Sequence, residues 1–185
     1  MSMLKRFFLS PAAVNCLTGM SLIIGAYLFE LIGYYNPCPL CILQRWSFAF
    51  IAFCGIILLI PYLHTVISKI ILFLAAFFAL GGSIIAGRQI YLQHLPADQV
   101  PTCAPPMEFL IDTLPFMELI QTILLGDGNC AEYQWRFIFN FAEWALLFFI
   151  GLLLYNLYFF FARPNGVSVV KLHENKPIKP FKSIN

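Results

Sequence analysis

Four long apolar stretches dominate the chain. Each runs for 18 residues without a charged side chain, and together they cover residues 12–29, 46–63, 70–87 and 144–161. A helix rises about 1.5 Å per residue, so roughly 20 apolar residues cross a hydrocarbon core about 30 Å thick. Because a bilayer offers the backbone no hydrogen bonds, each crossing should be helical. The pattern predicts an all-α fold, a four-helix transmembrane bundle.

The composition agrees with membrane insertion. Hydrophobic residues make up 61% of the 185 residues and charged residues 11%, whereas soluble domains average about 45–50% and about 25%. A chain this short could not bury four such helices inside a soluble protein. The first stretch is long for the apolar region of a signal peptide, and no small-residue cleavage pattern follows it.

The basic residues predict the orientation. Eight of the eleven flank one side of the predicted spans: Lys5, Arg6, Lys69, Arg163, Lys171, Lys176, Lys179 and Lys182. The segment 91–133 carries six acidic residues and no basic one before Arg136. Because positive flanks stay inside, we expect both termini to face the cytoplasm.

The polar segments complete the predicted organisation. A membrane domain of residues 1–162 has a short outward loop at 34–41 and a long one at 90–139. Residues 163–185 are polar with three prolines, and we expect a flexible cytoplasmic tail close to anionic membrane lipid. Within the long loop, 107–125 shows helical apolar spacing broken at Pro115, which predicts short amphipathic helices.

Four of the six cysteines fall in the two outward loops. Cys38 and Cys41 lie in the short loop, and Cys103 and Cys130 in the long one. Two even pairs on the oxidising side of a membrane predict two disulfides. The other two cysteines, inside predicted spans, are expected to be small packing residues.

The pair Cys38 and Cys41 forms a CxxC at the start of the second helix. Unpaired backbone N–H groups and the helix dipole stabilise a thiolate there. Arg45 follows Cys41 by four residues, which places both on one helix face. A permanent cation beside the sulfur favours the thiolate, the form that attacks, leaves or donates electrons. Gln44 is a weaker candidate, as a hydrogen-bond donor to a carbonyl.

Cys103 and Cys130 enclose 26 residues flanked by proline and glycine turns. Closing that loop would stabilise the fold by roughly 3–4 kcal/mol in the chain-entropy model. A plain structural staple is one interpretation. The alternative is redox exchange, because two disulfides near one membrane face can react through thiolate attack.

These motifs resemble the bacterial disulfide bond formation protein B (DsbB) family. The resemblance rests on Cys-Pro-Leu-Cys-Ile-Leu-Gln-Arg at 38–45, Pro-x-Cys-x-Pro at 101–105, and Cys130 followed by Trp135. It spans about residues 10 to 162. The stretch after Trp135, Arg-Phe-Ile-Phe-Asn-Phe-Ala-Glu-Trp, contains neither the glycine nor the proline typical of the family.

The resemblance implies a quinone-dependent protein-disulfide oxidoreductase. A periplasmic DsbA-type thiol oxidase would dock on the long loop and pass its electrons to Cys103 and Cys130, with Cys103 forming the mixed disulfide. Cys38 and Cys41 would reoxidise that pair. Cys41 would then pass the electrons to a quinone, ubiquinone or menaquinone, held near Arg45. No nucleic-acid partner is expected.

Two other functions stay open at this point. One is a membrane adaptor with two structural disulfides. The other is a zinc-binding membrane protein, since four thiolates suit tetrahedral zinc, although Cys103 and Cys130 lack the paired spacing of a zinc ribbon. Glu30 and Glu143 lie near the outer ends of the first and fourth spans. Acidic residues there can be functional, but we expect both to extend to the membrane edge.

Overall fold

The computed structural model describes residues 9–33, 37–60, 63–96, 98–102, 107–131, 138 and 140–162. Seven helices form within these residues: α1 (Pro11–Gly33), α2 (Pro39–Leu58), α3 (Thr65–Gln93), α4 (Met107–Thr113), α5 (Phe116–Leu125), α6 (Gly128–Ala131) and α7 (Phe141–Ala162). Helices α1, α2, α3 and α7 are long and apolar enough to cross a membrane. The all-α bundle with four spans is therefore confirmed.

The bounds of α2 differ from the prediction. The helix begins at Pro39 and ends at Leu58, whereas the uncharged stretch was 46–63. Cys38 is its N-cap, and its sulfur accepts a hydrogen bond from the backbone N–H of Cys41. Requiring an uncharged window excluded the first turns because they contain an arginine, which a helix tolerates near its end. The predicted C-terminal bound of the loop 34–41 was wrong, because the helix begins at Pro39 and includes Cys41.

Helix α3 is also longer than its apolar stretch of 70–87. It runs from Thr65 to Gln93 and includes one basic residue near each end. The long loop therefore begins after Gln93 and not at residue 90, for the same reason as in α2. This extension carries the polar last turns of α3 up to the level of the CxxC, where they reach the sulfur atoms.

The four spans pack in the order α1, α2, α3, α7. Helix α3 packs along both α2 and α7, and α2 packs along α1, whereas α1 and α7 touch little. Phe48 of α2 and Phe149 of α7 stack in the core with ring centroids 3.9 Å apart. Gly82 of α3 makes room for this stack, since a Cβ there would lie 2.4 Å from the Phe149 ring. The sparse contact between α1 and α7 leaves a cavity between them.

One polar pair joins α1 to α7 inside the bundle. Asn15 donates to Asn156 Oδ1 at 2.7 Å, and Asn156 donates back to Asn15 Oδ1 at 2.9 Å. Both side chains are fully buried. Reciprocal amide bonds satisfy polar atoms that the hydrocarbon core would leave without partners. The pair holds α1 against α7 at the end of the bundle opposite the CxxC.

Two short helices confirm the prediction for the long loop. Helices α4 and α5 are separated at Leu114 and Pro115. Proline cannot donate a backbone hydrogen bond, and it stands here as the N-cap of α5. Large apolar side chains of α5 are exposed: Phe116, Met117, Leu124 and Leu125. The predicted tail of 163–185 lies outside the described residues, and the domain boundary at 162 stays a prediction.

Candidate functional site

The CxxC sulfur atoms lie together at the start of α2. Cys38 Sγ and Cys41 Sγ are 2.7 Å apart. A disulfide bond is about 2.05 Å long, so a small rotation of either side chain joins them. Cys38 is almost fully buried, with 2% of its surface exposed, whereas Cys41 is half-buried. The two sulfurs therefore differ in access: Cys38 is enclosed by protein and Cys41 faces a cavity.

Cys130 of α6 reaches Cys38 from the long loop. Both cysteines belong to one buried cluster with Leu40 and Leu92. The neighbouring thiols of Cys130 and Cys41, together with burial, raise the pKa of the Cys38 thiol. A thiol with a raised pKa stays protonated at neutral pH. Cys38 is therefore a poor thiolate, but as part of a disulfide its sulfur is within reach of Cys130.

The turn before Cys130 is built to hold it in place. Asp127 is buried, and its Oδ1 accepts the backbone N–H of Cys130 at 3.2 Å. Gly126 has a φ of +73°, a conformation that L side chains rarely adopt. Arg88 of α3 donates from Nε and Nη2 to the Leu125 carbonyl oxygen at 3.2 and 3.0 Å. The loop is thus anchored to α3 immediately before the cysteine.

A buried amide that the sequence analysis missed contacts both CxxC sulfurs. Gln89 Nε2 of α3 lies 3.3 Å from Cys41 Sγ and 3.6 Å from Cys38 Sγ. Gln44 Nε2 donates to Gln89 Oε1 at 2.8 Å, which turns the Gln89 N–H groups toward the sulfurs. Gln44 also lines the cavity beside Cys41, and its role as a donor to a carbonyl stays a prediction. The sequence offered one signal for Gln89: it is a polar residue just after the apolar stretch 70–87.

Arg45 is paired with the one acidic residue of α1. Its Nη2 lies 2.6 Å from Glu30 Oε1, and its guanidinium lies over the Tyr27 ring at 5.3 Å. About a fifth of each charged side chain is exposed, 21% for Arg45 and 19% for Glu30. The expectation that Glu30 extends to the membrane edge was therefore wrong, because the half-buried guanidinium on the neighbouring helix pairs with its carboxylate.

A cavity of about 370 Å³ opens beside Cys41, between α1, α2 and α7. Its polar wall carries Cys41, Glu30 and Arg45. Its apolar wall is largely aromatic: Phe29, Phe48, Phe141, Trp144 and Phe148. Mostly apolar walls with a few polar groups are typical of small-molecule sites of this size. Cys41 and Arg45, four residues apart on α2, therefore line one cavity.

The remaining candidates lie elsewhere. Glu143 caps α7, accepting the backbone N–H of Asn140 at 2.8 Å, so it serves the helix start and not the membrane edge. Cys103 lies outside the described residues, and its predicted role stays a prediction. Cys54 packs against Ile71 and Ala75, as expected for a packing residue. In the described part of the chain, no group of three or more His, Cys, Asp or Glu could hold a metal ion.

Comparisons with known proteins give a consistent result. The family model described as disulfide bond formation protein DsbB matches residues 9–159. A disulfide bond formation protein B from Hahella chejuensis is 37% identical over 149 residues, covering 78% of this chain and 86% of the relative. One from Acinetobacter baumannii is 39% identical over 154 residues, covering 79% and 88%. No solved structure matches the chain.

Proposed function

Because the chain belongs to the DsbB family of disulfide bond formation proteins, we propose that it reoxidises a periplasmic DsbA-type thiol oxidase and passes the electrons to a membrane quinone. The family is one of bacterial inner-membrane proteins with disulfide oxidoreductase activity, and the four spans make this chain a multi-pass member. In this proposal the CxxC end of the bundle faces the periplasm and both termini face the cytoplasm.

The observation that carries the proposal is the position of Cys38 between two other cysteines. Its sulfur lies 2.7 Å from that of Cys41, and its side chain packs in one buried cluster with Cys130 of the long loop. Disulfides exchange when a thiolate attacks one sulfur of the bond and the other sulfur leaves. A line of three sulfurs, from the loop to the cavity, allows an electron pair to pass inward without large movement of the helices.

The first exchanges involve the long loop. A thiolate of the reduced partner attacks Cys103 of a Cys103–Cys130 disulfide, and Cys130 leaves as a thiolate. Cys130 then attacks Cys38 of the Cys38–Cys41 disulfide, and Cys41 leaves as a thiolate. Asp127 and Gly126 keep Cys130 in position for this attack. Gln89 and Arg45 stabilise the departing Cys41 sulfur, one by a hydrogen bond and the other by charge.

The second exchanges release the products. The other thiolate of the partner attacks the sulfur that is bonded to Cys103, which frees the oxidised partner and a Cys103 thiolate. Cys103 attacks Cys130 of the Cys38–Cys130 disulfide, and Cys38 leaves and takes up a proton, in agreement with its raised pKa. The loop disulfide is restored, and two electrons remain on Cys38 and Cys41.

The cavity beside Cys41 fits a quinone ring. Its volume and aromatic walls suit a flat apolar molecule, and Arg45 offers a cation for a carbonyl oxygen. The sparse contact between α1 and α7 leaves room for an isoprenoid chain toward the lipid. A bound quinone supplies an acceptor for two electrons and two protons. The residues of the chain hold the ring, exclude water and present the Cys41 sulfur.

The test uses the full chain in proteoliposomes that contain ubiquinone or menaquinone. Reduced DsbA-type oxidase is added, and quinone absorbance and partner thiols are followed together. We expect one quinone reduced for each partner disulfide formed. Cys41→Ser should abolish quinone reduction, and Arg45→His should slow it at least tenfold, because the thiolate loses its permanent cation.

Cys16→Ser is the matched control, since Cys16 lies within α1 away from the site, and it should retain full activity. Cys103→Ala should remove the trapped complex with the partner. Partner oxidation that proceeds at the same rate in liposomes without quinone, under argon, would refute the quinone part of the proposal.

A further inference from the structure

Glu30 has no place in the exchange steps, yet it stands at the reacting end of the cavity. Its Oε1 is fully buried and lies 2.6 Å from Arg45 Nη2. Within the described residues this oxygen has no aligned hydrogen-bond donor. Its negative charge is therefore compensated by the ion pair with Arg45. The same guanidinium also interacts electrostatically with the Cys41 sulfur.

The charges in this cavity do not balance once Cys41 is reduced. Arg45 supplies one positive charge, while Glu30 and a Cys41 thiolate would supply two negative charges. Burial disfavours uncompensated charge, and two anions that share a site compete for one cation. One of the two anions must therefore take up a proton. Gln89 donates to the Cys41 sulfur and not to Glu30, which favours the thiolate as the anion that remains.

We propose that Glu30 is the proton carrier of this site, taking up a proton when the CxxC is reduced and Cys41 becomes a thiolate. The dithiol that reduces the site loses its two S–H protons and becomes a disulfide, and the Cys38–Cys41 disulfide breaks. Cys38 takes up one of the protons and Glu30 the other, so that one O–H bond forms on Glu30 and the total charge of the site is unchanged. Arg45 compensates one negative charge before and after the step, because it pairs with Glu30 and interacts electrostatically with the Cys41 sulfur.

The surroundings of Glu30 supply no other acceptor of this kind. On α1 the titratable neighbour is Tyr27, whose ring lies against Arg45. On α2 the facing groups are Cys41 and Arg45. On α7 the acidic residue is Glu143, and its carboxylate accepts a hydrogen bond at its own helix start. Among the described residues that line the cavity, Glu30 is the one carboxylate.

This inference rests on the proposed function for the fate of the proton. Reduction of a quinone requires two protons, and the reduced site then holds one on the Cys38 thiol and one on Glu30. Cys38–SH, a Cys41 thiolate and protonated Glu30 together carry the two electrons and two protons of the overall reaction. Formation of the Cys38–Cys41 disulfide returns Glu30 to its carboxylate.

The test measures Cys41 without any quinone. The purified full chain is reduced, freed of reductant, and alkylated with N-ethylmaleimide over a series of pH values, and the peptide that carries Cys41 is quantified by mass spectrometry. In the proposed reduced state Glu30 is already neutral when Cys41 is a thiolate, so Glu30→Gln should leave half-maximal alkylation of Cys41 within a few tenths of a pH unit of the wild type. A Glu30 that stayed charged would oppose the thiolate, and Glu30→Gln would then move alkylation to lower pH by about one unit, the effect of one close like charge. Glu30→Asp and Glu143→Gln should both match the wild type.

A merely structural Glu30 predicts a shift to higher pH. If the carboxylate only positions Arg45, Glu30→Gln loosens the guanidinium and moves alkylation of Cys41 to higher pH. A shift of about one unit in either direction, in a variant that melts like the wild type, overturns the proposal. The carboxyl itself is followed by infrared difference spectroscopy on reduction of the CxxC. A carboxylic acid band should appear in the wild type and in Glu143→Gln, and be absent in Glu30→Gln; no band in the wild type also overturns the proposal.

The two proposals can fail separately. Both measurements use quinone-free protein reduced by dithiothreitol, so they do not depend on electron transfer to a quinone. If the wild type fails to reduce quinone but shows the carboxylic acid band on reduction, the quinone step is refuted and the proton-carrier proposal is supported. If quinone reduction is normal and the band is absent, only the proton-carrier proposal is refuted. Where both hold, Glu30→Gln should also lower quinone turnover at least tenfold.

Discussion

The side-chain amide of Gln89 on α3 lies 3.3 Å from the sulfur of Cys41 on α2. The Gln89 side chain is buried, and its Oε1 accepts a hydrogen bond from Gln44. Its N–H groups are therefore shielded from water. A buried N–H directed at a sulfur stabilises the thiolate, as a hydrogen bond to a charged group. This contact makes α3, which lies outside the cavity wall, part of the reacting site.

Gln89→Leu should lower the reactivity of Cys41. Hydrogen bonds to charged groups contribute about 1.5–3 kcal/mol, so a loss of roughly 10- to 100-fold is expected in the rate of Cys41 alkylation at neutral pH. Ser83→Ala is the control, because Ser83 on the same helix donates only to the backbone of Ala79. Equal alkylation rates in Gln89→Leu and Ser83→Ala would contradict the role given to this amide.

Cys38 and Cys130 should join when their other partners are removed. In the variant Cys41→Ser/Cys103→Ala each has lost its expected partner, and the packing of the two side chains in one buried cluster allows a direct disulfide. Mass spectrometry of unreduced peptides should find the Cys38–Cys130 bridge in most molecules. The triple variant that also carries Cys130→Ser should show none. Two free thiols in the double variant after mild oxidation would mean that the loop does not reach Cys38.

Gly126→Ala should disturb the loop. Its φ of +73° costs an L side chain about 1–2 kcal/mol, and the new Cβ would lie 2.6 Å from Leu92 Cδ1. The variant should melt at a lower temperature and form the Cys38–Cys130 bridge more slowly. Gly151→Ala adds the same methyl group to α7 where nothing lies within 4 Å, and it should not lower the melting temperature or slow bridging. A normal bridging rate in Gly126→Ala would show that the turn does not position Cys130.

Removing one asparagine of the Asn15–Asn156 pair should destabilise the bundle more than removing both. Asn15→Leu removes the donor to the buried Asn156 Oδ1, at a cost of about 1–3 kcal/mol for a buried polar group. The double variant Asn15→Leu/Asn156→Leu leaves no such group. Thermal unfolding in detergent should therefore rank the wild type and the double variant above both single variants. Strictly additive losses would show that the two side chains are not coupled.

The amino-acid sequence by itself determined the number of spans and the local chemistry of the CxxC. Both depend on short-range physics: 18 uncharged residues suffice for a crossing, and four residues along a helix bring Cys41 and Arg45 to one face. The break of the loop helices at Pro115 is equally local, because proline lacks the N–H that a helix interior needs. The bounds of α2 and α3 were missed, because the criterion of 18 uncharged residues excludes the charged residues that lie near the helix ends.

Only the tertiary structure decided which side chains meet the sulfurs. Gln89 is 48 residues from Cys41 along the chain, and Glu30 and Arg45 belong to different helices. Nothing periodic in the sequence marks such pairs, because they depend on which helices pack together and on how far each is rotated. The order α1, α2, α3, α7 places α3 behind the CxxC and leaves α1 and α7 apart in front of it. That packing brings a buried amide and a carboxylate to a site where the sequence predicted only cysteines and a cation.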